Sequence, residues 1–497
     1  MNKTVLCIID GLGINDETKG NAVHAANMTN LNTAIKRFQS TKLAASGHEV
    51  GLADPNDMGN SEVGHNAIGA GKRIKQGLAL LNDSFASGEI FKTKTWQDLS
   101  MNAQMQNRKL NIIMLLSDGR THSDIAHLHI VLKECKKHNI PVAIHALADG
   151  RDVAPKSVLG YIKELEDNLA TLCGRGIAFM DRYESSPKIL RTGFDLVVNG
   201  LGQSGLTVLE EYEKNPSMTD ESLPPMVINP NLLIKNGDSV LLLNYRGDRA
   251  VQTCAMFESG KYLNEKEFSQ INECIFAGLL QYDAELKIPK SYLCPPPKIE
   301  NGLTWWLCKH NVKQLTVAET VKFGHITYFF NGNRALPFDK NLETWIEVPS
   351  HSVGTEFNKV PQMKAREITD IVLDNLDQFD FLKLNYSNPD MVGHTTDFDA
   401  TVKACKVVDE CIGKLINSCK EKNINLVITA DHGNAEEMLL PDGSPRSSHT
   451  NNPVPLVIIS PNNLKIKDGE FGLTNIAATI CKLLDIPVYK DFNKALI

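Results

Sequence analysis

Five residues in the C-terminal third of the chain have the types and spacing of metal ligands. Asp390 and His394 stand four positions apart in DMVGH, which places both side chains on one face of a helical turn. Asp431 and His432 follow the apolar strand LVITA, and His449 lies in the loop-forming segment SSHTNNPVP. Each alone has an ordinary alternative as a surface acid or a capping histidine. Together, two carboxylates and three imidazoles favour a divalent ion such as Mn²⁺ or Zn²⁺ over Ca²⁺.

A carboxylate and a hydroxyl near the N-terminus extend this pattern. Asp10 closes the apolar run VLCII and precedes Gly11 and Gly13, small residues that let backbone approach a ligand. Ser61 stands in GNSEVGH at the predicted start of a helix, where an N-cap is the ordinary role. The alternative is a nucleophile whose hydroxyl is activated by a neighbouring metal ion, with helix N–H groups to bind the captured phosphoryl group. The spacing leaves both interpretations open.

Four arginines of the middle segment indicate an anionic ligand. The motifs DGRD, MDR and NYRGDR, each near the end of an apolar run, contain Arg151, Arg182, Arg246 and Arg249. A guanidinium group holds phosphate or carboxylate through two parallel hydrogen bonds, so a cluster of them favours a small, doubly anionic ligand. Surface ion pairs are the alternative for each arginine. Metal ligands near both chain ends and an anion clamp in the middle predict phosphoryl chemistry.

The elements that must position these residues follow an α/β pattern. Short β-branched and aliphatic runs alternate with helical patterns along the whole chain, which predicts mainly parallel sheets. Six of the runs end in polar or charged residues, at Asp10, Asp118, Asp149–Asp152, Arg246–Arg249, Asp390 and Asp431–His432. Open α/β sheets bind ligands beyond the carboxyl ends of their strands, so most of these endings are expected to face one cleft or two facing clefts.

Two breaks in this pattern divide the chain. In LCPPPK, the prolines that begin at Pro295 set a stiff, extended spacer. On the N-terminal side, the nearest break is the segment 72–76, which follows the Gly-rich GAG. We therefore expect a middle domain at 75–296, inserted into a domain made of residues 1–74 and 297–497.

Length, charge and apolar patterning limit the class of protein. The 497 residues correspond to about two to four domains. Fifty-two Lys and Arg against 59 Asp and Glu leave a net charge of −7, so no basic surplus points to nucleic acid. The apolar runs are far shorter than the roughly 20 residues that span a bilayer, and the N-terminus has no signal-peptide pattern. We expect a cytoplasmic protein with 11 reduced cysteines and a small-molecule substrate, without nucleic-acid or membrane partners.

The longest motifs of the chain match a known family. The strings IIDGLG, MGNSEVGHNAIGAG, DGRDVAPKS, NYRGDRA, AETVK, NPDMVGH, TADHGNAEEM and HTNNPVP are spread over nearly its whole length. In these strings the chain resembles the cofactor-independent phosphoglycerate mutases, members of the alkaline phosphatase superfamily. The resemblance implies interconversion of 3-phosphoglycerate and 2-phosphoglycerate in glycolysis and gluconeogenesis through a phosphoserine, independent of 2,3-bisphosphoglycerate. It also implies a monomer with a phosphatase-like metal domain formed by both chain ends and an inserted phosphotransferase domain.

The resemblance further implies a role for each site residue. Two divalent ions, most simply Mn²⁺, would be held by Asp390, His394 and His449 and by Asp10, Ser61, Asp431 and His432. Ser61 would receive the phosphoryl group beside Lys322, and Asp152 would be the acid and base. The substrate contacts would be His122, Arg151, Asp152, Arg182, Lys188, Arg246, Arg249 and Lys322. The same ligand set also accepts Co²⁺ or Mg²⁺.

The chain departs from the family pattern at a few positions. Leu12 stands where Trp is common, and Val321 replaces an acid before Lys322, but every ligand position is occupied. Six residues after Arg182, where the family commonly has an arginine, this chain has Lys188, followed by Arg191. Lysine offers a point charge rather than a fork, so the second basic substrate contact is open between these two residues.

Two other functions fit fewer of the motifs. A phosphopentomutase or phosphomonoesterase of the same superfamily would share the metal ligands but lack DGRDVAPKS together with MDR and NYRGDR. A non-catalytic phosphate-binding protein with this fold would have lost the nucleophile or a ligand, whereas Ser61 and all the ligand positions are present.

Overall fold

The computed structural model of the chain describes residues 2–165, 167–179, 187–246, 250–282, 287–295, 297, 299–353, 356–440, 443–446, 448–462 and 464–497. Within these ranges the strands are β1 (Thr4–Ile9), β2 (Gln39–Leu43), β3 (Leu110–Leu116), β4 (Val142–Ala148), β5 (Leu169–Gly174), β6 (Gln203–Ser204), β7 (Met226–Val227), β8 (Ser239–Leu242), β9 (Ile275–Gly278), β10 (Gln314–Glu319), β11 (Glu343–Val348), β12 (Phe381–Tyr386), β13 (Asn425–Ala430) and β14 (Val454–Ile459). The α-helices are α1 (Ala22–Ala26), α2 (Thr29–Arg37), α3 (Ser61–Ala70), α4 (Gly77–Ser87), α5 (Lys94–Ala103), α6 (Ile125–Lys137), α7 (Val158–Ile162), α8 (Pro187–Val197), α9 (Gly205–Lys214), α10 (Val251–Ser259), α11 (Glu265–Phe268), α12 (Leu303–Lys309), α13 (Thr320–Gly324), α14 (Ala365–Asp374), α15 (Asn388–Gly393), α16 (Phe398–Glu421) and α17 (Ile476–Leu483).

The chain divides into two compact units. Unit 1 consists of Met1–Ala79 and Pro297–Ile497, and unit 2 of Leu80–Pro296. Each unit contains a seven-stranded sheet together with helices. This architecture confirms the predicted α/β class. The assignment of a metal domain to residues 1–74 and 297–497, and of a transferase domain to residues 75–296, stays a prediction.

The sheet of unit 1 brings two acidic strand ends together. Its strand order is β11-β10-β12-β1-β13-β14-β2. The strands from β11 to β13 pair in parallel, whereas β14 pairs antiparallel with both β13 and β2. The central strand β1 is an aliphatic run that is buried along its whole length. Its last residue, Ile9, pairs with Tyr386 of β12 and with Ala430 of β13. Asp10 and Asp431 therefore leave neighbouring parallel strands at the same edge.

The sheet of unit 2 has its own core on each face. Its order is β6-β7-β5-β4-β3-β8-β9, and only β5 and β7 pair antiparallel among the described strands. Along β3, Ile112 and Met114 enter one buried cluster, while Ile113 and Leu115 enter another. This alternation is that of a strand covered on both faces. Of the six polar strand endings predicted from the sequence, three follow strands of this sheet and three follow strands of unit 1.

Helix α3 packs closely against the end of β13. Asn60 caps the helix, since its side chain accepts a hydrogen bond of 2.9 Å from the N–H of Val63. A Cβ at Gly64 would lie 2.8 Å from the Cβ of Asp431, so only glycine permits this approach. The first turn of α3 is thereby held beside the acidic edge of the sheet.

Two features concern the whole described chain. All eleven cysteines are free thiols, and nine of them are buried. None of the helices in the described ranges is both long and apolar enough to cross a membrane.

Candidate active site

The carboxylates of unit 1 converge at the edge of its sheet. The N–H of Asp10 continues the strand pairing by donating to Tyr386 O at 3.0 Å. Gly11 follows with a φ of +72°, and a Cβ there would lie 2.7 Å from Cα of Asp390 on α15. The N–H of Gly11 donates to Asp431 Oδ1 at 3.3 Å. The glycine at position 11 thus lets Asp10, Asp390 and Asp431 approach one another, and all three are buried.

Lys322 on α13 is the cation of this cluster. Its Nζ lies 2.9 Å from Asp10 Oδ1 and 2.7 Å from Asp390 Oδ2. It also donates a hydrogen bond of 2.5 Å to Ser61 Oγ. The ammonium therefore contacts the hydroxyl and two of the carboxylates at once.

The structure distinguishes the two interpretations of Ser61. Asn60 caps α3, and Ser61 is the first helical residue. Its buried hydroxyl instead lies 3.1 Å from Asp10 Oδ1, to which it donates, and 3.0 Å from His432 Nε2. The N-cap interpretation is thus wrong, because the hydroxyl faces the carboxylate, the imidazole and Lys322.

Three histidines complete the cluster. His449 Nε2 lies 3.0 Å from His394 Nε2 and 3.4 Å from Asp390 Oδ1. His394 Nε2 lies 3.3 Å from the same oxygen of Asp390. The imidazole of His432 is fully buried, whereas 37% of the side chain of His394 is exposed. All seven predicted metal ligands are therefore found together in unit 1.

The donor set fits divalent metal ions. Two groups of ligand atoms lie close enough to share an ion: Asp390, His432 and His449, and Asp10, Asp431 and His432. Asp431 Oδ2 is a buried carboxylate oxygen that accepts no hydrogen bond within the described part of the chain. His432 Nδ1 lies 3.2 Å from Gly433 O and His449 Nδ1 lies 3.1 Å from Gly59 O, which leaves both Nε2 atoms as donors for a metal. His432 belongs to both groups by distance, whereas the predicted ligand sets give it to one ion only.

The electrostatics of the cluster depend on Lys322. Burial opposes ionisation of Asp10 and Asp390, but the nearby ammonium outweighs it and holds the pKa of each well below the usual range. Burial likewise opposes the charge on Lys322, and Asp10 and Asp390 raise its pKa above the ordinary value. Asp10, Asp390 and Lys322 are therefore all charged at neutral pH.

The pKa values of His432 and His449 shift in opposite directions. Burial lowers the pKa of His432, but Asp431 and Asp10 raise it to about 10. Burial and the neighbouring His432 lower the pKa of His449 to about 4. Without a metal ion, one proton is thus held on His432 where a cation would otherwise bind.

Three residues around the ligands were not predicted from the sequence. His65, one turn after Ser61 on α3, lies 2.8 Å from Ser61 O and 3.2 Å from Asp431 Oδ2. Asn385 Nδ2 donates to Asp10 Oδ2 at 2.8 Å, and Asn434 Nδ2 donates to Asp390 Oδ1 at 2.8 Å. The positions of His65 in GNSEVGH and of Asn434 in TADHGN are a signal that could have indicated them, whereas Asn385 lies within the strand FLKLNY, outside both motifs.

Three of the predicted substrate residues, Asp152, His122 and Arg246, lie in loops at the carboxyl edge of the sheet of unit 2. Asp152 follows β4, and its N–H donates to Asp149 Oδ1 at 3.1 Å. His122 is buried in the loop after β3, where its carbonyl accepts from the N–H of Tyr245 at 2.9 Å. Arg246, in the loop after β8, is half-buried.

The remaining basic residues of unit 2 differ in their surroundings. Arg151 pairs with Glu221. Lys188 is exposed near the start of α8, and Arg191 forms a two-pronged pair with Glu267, with both N–O distances at 2.5 Å. Arg182 and Arg249 lie outside the described residues. The side chain of Lys188 is therefore exposed, whereas both terminal nitrogens of Arg191 are already paired with Glu267.

Comparisons with known proteins agree with this arrangement. Residues 2–488 match the family described as the metalloenzyme superfamily. A probable 2,3-bisphosphoglycerate-independent phosphoglycerate mutase of Leptospira interrogans is 36% identical over 535 residues, covering 100% of this chain and 97% of the relative. The 2,3-bisphosphoglycerate-independent phosphoglycerate mutase of Clostridium botulinum is 38% identical over 505 residues, covering 97% and 96%.

This chain belongs to the 2,3-bisphosphoglycerate-independent phosphoglycerate mutases. A solved relative is the phosphoglycerate mutase of Leishmania mexicana, crystallised at low cobalt concentration. It is 33% identical, with a TM-score of 0.70, and covers 100% of this chain and 97% of its own. The family resemblance read from the motifs is thereby confirmed, as is a metal-dependent mutase as the type of enzyme.

Proposed function

We propose that this chain interconverts 3-phosphoglycerate and 2-phosphoglycerate through a phosphoserine at Ser61, without 2,3-bisphosphoglycerate. The observation that carries the proposal is the environment of Ser61 Oγ. It accepts a hydrogen bond from Lys322 Nζ at 2.5 Å, lies 3.0 Å from His432 Nε2 and is buried at the start of a helix. An ammonium donating to this oxygen favours its deprotonated, nucleophilic form, and the helix N-terminus favours an incoming anion.

The metal ions would be two divalent cations, and we propose Mn²⁺. The mixed set of carboxylates, imidazoles and one hydroxyl suits an ion of this type. We assign Asp390, His394 and His449 to one ion and Asp10, Ser61, Asp431 and His432 to the other. When bound, such ions supply positive charge that stabilises the serine oxygen and the phosphoryl oxygens. All of these ligands come from unit 1, which supports a monomer as the working enzyme.

Ser61, Lys322 and Asp152 are proposed to carry out the transfer of the phosphoryl group. Ser61 Oγ, already deprotonated, attacks phosphorus, the bond from phosphorus to the 3-oxygen of glycerate breaks, and Lys322 neutralises charge on the transferred group. Asp152 gives a proton to the departing 3-oxygen. It then takes a proton from the 2-hydroxyl, which attacks the phosphoserine and regenerates Ser61.

We propose that the basic residues of unit 2 hold the glycerate and its phosphate. Arg151, Arg246 and the buried His122 are the described members of this group, and Arg182 and Arg249 complete it. Lys188 is preferred to Arg191 for the second basic contact, because the guanidinium of Arg191 is paired with Glu267 on both prongs. The phosphoglycerates are intermediates of glycolysis, so the proposed place of action is the cytoplasm.

The proposal is tested with the metal-loaded protein and 3-phosphoglycerate in the absence of 2,3-bisphosphoglycerate. Wild type should form 2-phosphoglycerate, and Ser61→Ala should form none while keeping its fold by circular dichroism. Ser460→Ala is the matched control, because its Oγ contacts Asn425 Oδ1 at 2.7 Å, at the opposite end of β13 from Asp431. Release of inorganic phosphate instead of 2-phosphoglycerate would identify a phosphomonoesterase. Full activity of Ser61→Ala would refute the nucleophile.

A further inference from the structure

Arg175 is a buried cation of unit 2 that bridges two carboxylates. Only 2% of its side chain is exposed. Its Nη1 donates to Asp152 Oδ2 at 2.6 Å and also pairs with Asp149 Oδ1. Burial opposes the charge on this guanidinium, but Asp152 and Asp149 more than offset that cost and raise its pKa. Arg175 therefore remains charged and links both acids through one nitrogen.

The register of the sheet fixes where this guanidinium lies. Gly174, the last residue of β5, pairs with Ala148, the last residue of β4. The N–H of Arg175 then donates to Ala148 O at 2.9 Å, one residue before Asp149. A Cβ at Gly174 would meet the backbone of Glu221, so this neighbouring segment packs directly on the strand end. The backbone of Arg175 is thus held beside Asp149 before its side chain makes any contact.

Asp149 and Arg175 hold Asp152 at two points. Asp149 Oδ1 accepts hydrogen bonds from the N–H of Arg151 at 3.2 Å and from the N–H of Asp152 at 3.1 Å. Arg175 holds the side chain of Asp152 through Oδ2. Oδ1 of Asp152 accepts no hydrogen bond from the described residues, and 16% of the side chain is exposed. The two oxygens of this carboxylate therefore differ: one is fixed in the protein, and the other is available.

We propose that Arg175 is the positioning residue of Asp152. Its guanidinium holds Oδ2 so that Oδ1 is the atom that exchanges protons with the 2- and 3-oxygens of glycerate. This inference rests on the proposed role of Asp152 as acid and base. A small displacement of a general base costs much of its contribution, because proton transfer requires hydrogen-bond distance. The competing explanation is that Arg175 has only a structural role, in which it links the ends of β4 and β5.

A double-mutant cycle separates the two explanations. The variants are Arg175→Lys, Asp152→Asn and their combination, each metal-loaded. Lysine keeps the positive charge but not the planar fork. With 3-phosphoglycerate, Arg175→Lys should lower kcat roughly 10- to 100-fold and change KM less than about threefold. It should also accumulate phosphoserine on Ser61, as Asp152→Asn should. In single turnover, the rate of phosphoserine formation in the double variant should equal that of Asp152→Asn, because the two residues act through one carboxylate.

A control and a second variant keep the test independent of stability. Tyr212→Phe removes the hydroxyl that pairs with buried Asp220, whose Oδ2 binds the N–H groups of Ser157 and Val158 further along the same loop. It should lower Tm without changing kcat. Asp149→Asn keeps an acceptor oxygen for the N–H of Asp152 and leaves Arg175 to bind Asp152 alone, so its loss of kcat should be smaller than that of Asp152→Asn. This variant tests the positioning role of Arg175 even where Arg175→Lys yields no folded protein.

The outcomes distinguish failure of this inference from failure of the proposed function. Wild-type kcat in Arg175→Lys, or rate losses that multiply in the double variant, would overturn the positioning role while leaving Asp152 as acid and base. A loss of kcat in Asp149→Asn as large as that in Asp152→Asn would also overturn the positioning role and would support the purely structural role of Arg175. Wild-type production of 2-phosphoglycerate by Asp152→Asn would overturn the proposed acid and base, and this inference with it.

Discussion

The ammonium of Lys322 lies 2.5 Å from the hydroxyl oxygen of Ser61, although the two residues are 261 positions apart in the chain. The same ammonium contacts the buried carboxylates of Asp10 and Asp390. It therefore places positive charge beside two kinds of group: the oxygen of Ser61, which is the nucleophile of the proposed mechanism, and the buried carboxylates. The two contacts are separable by experiment, because a bound divalent ion can compensate the charge of the carboxylates but cannot donate a hydrogen bond to Ser61 Oγ.

We predict that Lys322→Met lowers kcat by roughly 10²- to 10³-fold even with saturating Mn²⁺, as expected for loss of one charged donor to the reacting oxygen. In EDTA it should destabilise the protein by about 3 to 5 kcal/mol, because Asp10 and Asp390 are left buried without their cation. Added Mn²⁺ should recover most of this stability. Thermal unfolding with EDTA and with Mn²⁺ measures the difference.

Lys414→Met is the control for this substitution, since Lys414 forms only an exposed pair with Asp370 at 3.5 Å. It should change neither activity nor the response of Tm to metal. Wild-type kcat in Lys322→Met would contradict contact of this ammonium with the reacting oxygen.

Metal binding should release a proton from His432. In the metal-free protein Asp431 and Asp10 raise its pKa to about 10, despite burial, so the imidazole is protonated at pH 7 and must lose the proton to bind an ion through Nε2. The affinity for Mn²⁺ should therefore rise about tenfold per pH unit between pH 7 and 9. Titration calorimetry in buffers of different ionisation enthalpy should detect close to one released proton. An affinity independent of pH in this range would refute the assignment.

Protonation of the ligands should also limit activity in acid. As the pH falls, protons compete with Mn²⁺ for the imidazoles, so activity should decrease and a higher Mn²⁺ concentration should move the decrease to lower pH. His449 has a pKa of about 4 because of burial and the adjacent His432, so it contributes only at the acid end. An acid limb that ignores the metal concentration would have another cause.

Lys383 lowers the stability of unit 1 at neutral pH. It lies buried on β12, with Nζ 3.3 Å from Thr304 Oγ1 and 4.1 Å from the ring centre of Phe330. Burial lowers its pKa from 10.5 to about 8, although Glu343 opposes the shift. The unfolded chain therefore binds the proton more tightly, and the cost is fully present below pH 8 and disappears above pH 10.5.

Lys383→Met keeps the volume of the side chain and removes its charge. It should raise the free energy of unfolding by roughly 3 kcal/mol at pH 7 and by only about 1 kcal/mol near pH 9.5. Urea unfolding of wild type and variant at both pH values measures this. A gain that is equal at the two pH values would show that packing, and not ionisation, is the cause.

The strand ends of the site were predictable because they follow from local pattern. Asp10 and Asp431 each close an aliphatic run, and parallel pairing on either side of Ile9 brings them to one edge. The role of Ser61 was not decidable in this way, since an N-cap and a nucleophile share the same local sequence. The structure excludes the N-cap, because Asn60 caps the helix and the hydroxyl of Ser61 contacts Lys322, which is remote in the chain.

Residues whose partners are set by register or by distant segments escaped prediction. Arg175 binds acids 23 and 26 positions away because β4 and β5 pair in one particular register. The proposed preference for Lys188 over Arg191 likewise rests on Glu267, 76 positions after Arg191. Neither pairing can be predicted from the local sequence, since any charged residue at a strand end or on a helix shows the same local pattern.

The most direct test of the account is to identify the residue that carries the phosphoryl group. Metal-loaded Asp152→Asn is mixed with 3-phosphoglycerate, quenched, digested and mapped by tandem mass spectrometry, with the variant that also carries Ser61→Ala as control. Asparagine cannot accept the proton of the 2-hydroxyl, so retransfer should be slowed more than formation of the phosphoserine. We expect a gain of one phosphoryl group on the peptide that contains Ser61, little 2-phosphoglycerate, and no such gain in the control. Phosphate on another residue, or wild-type formation of 2-phosphoglycerate with Ser61 unmodified, would contradict it.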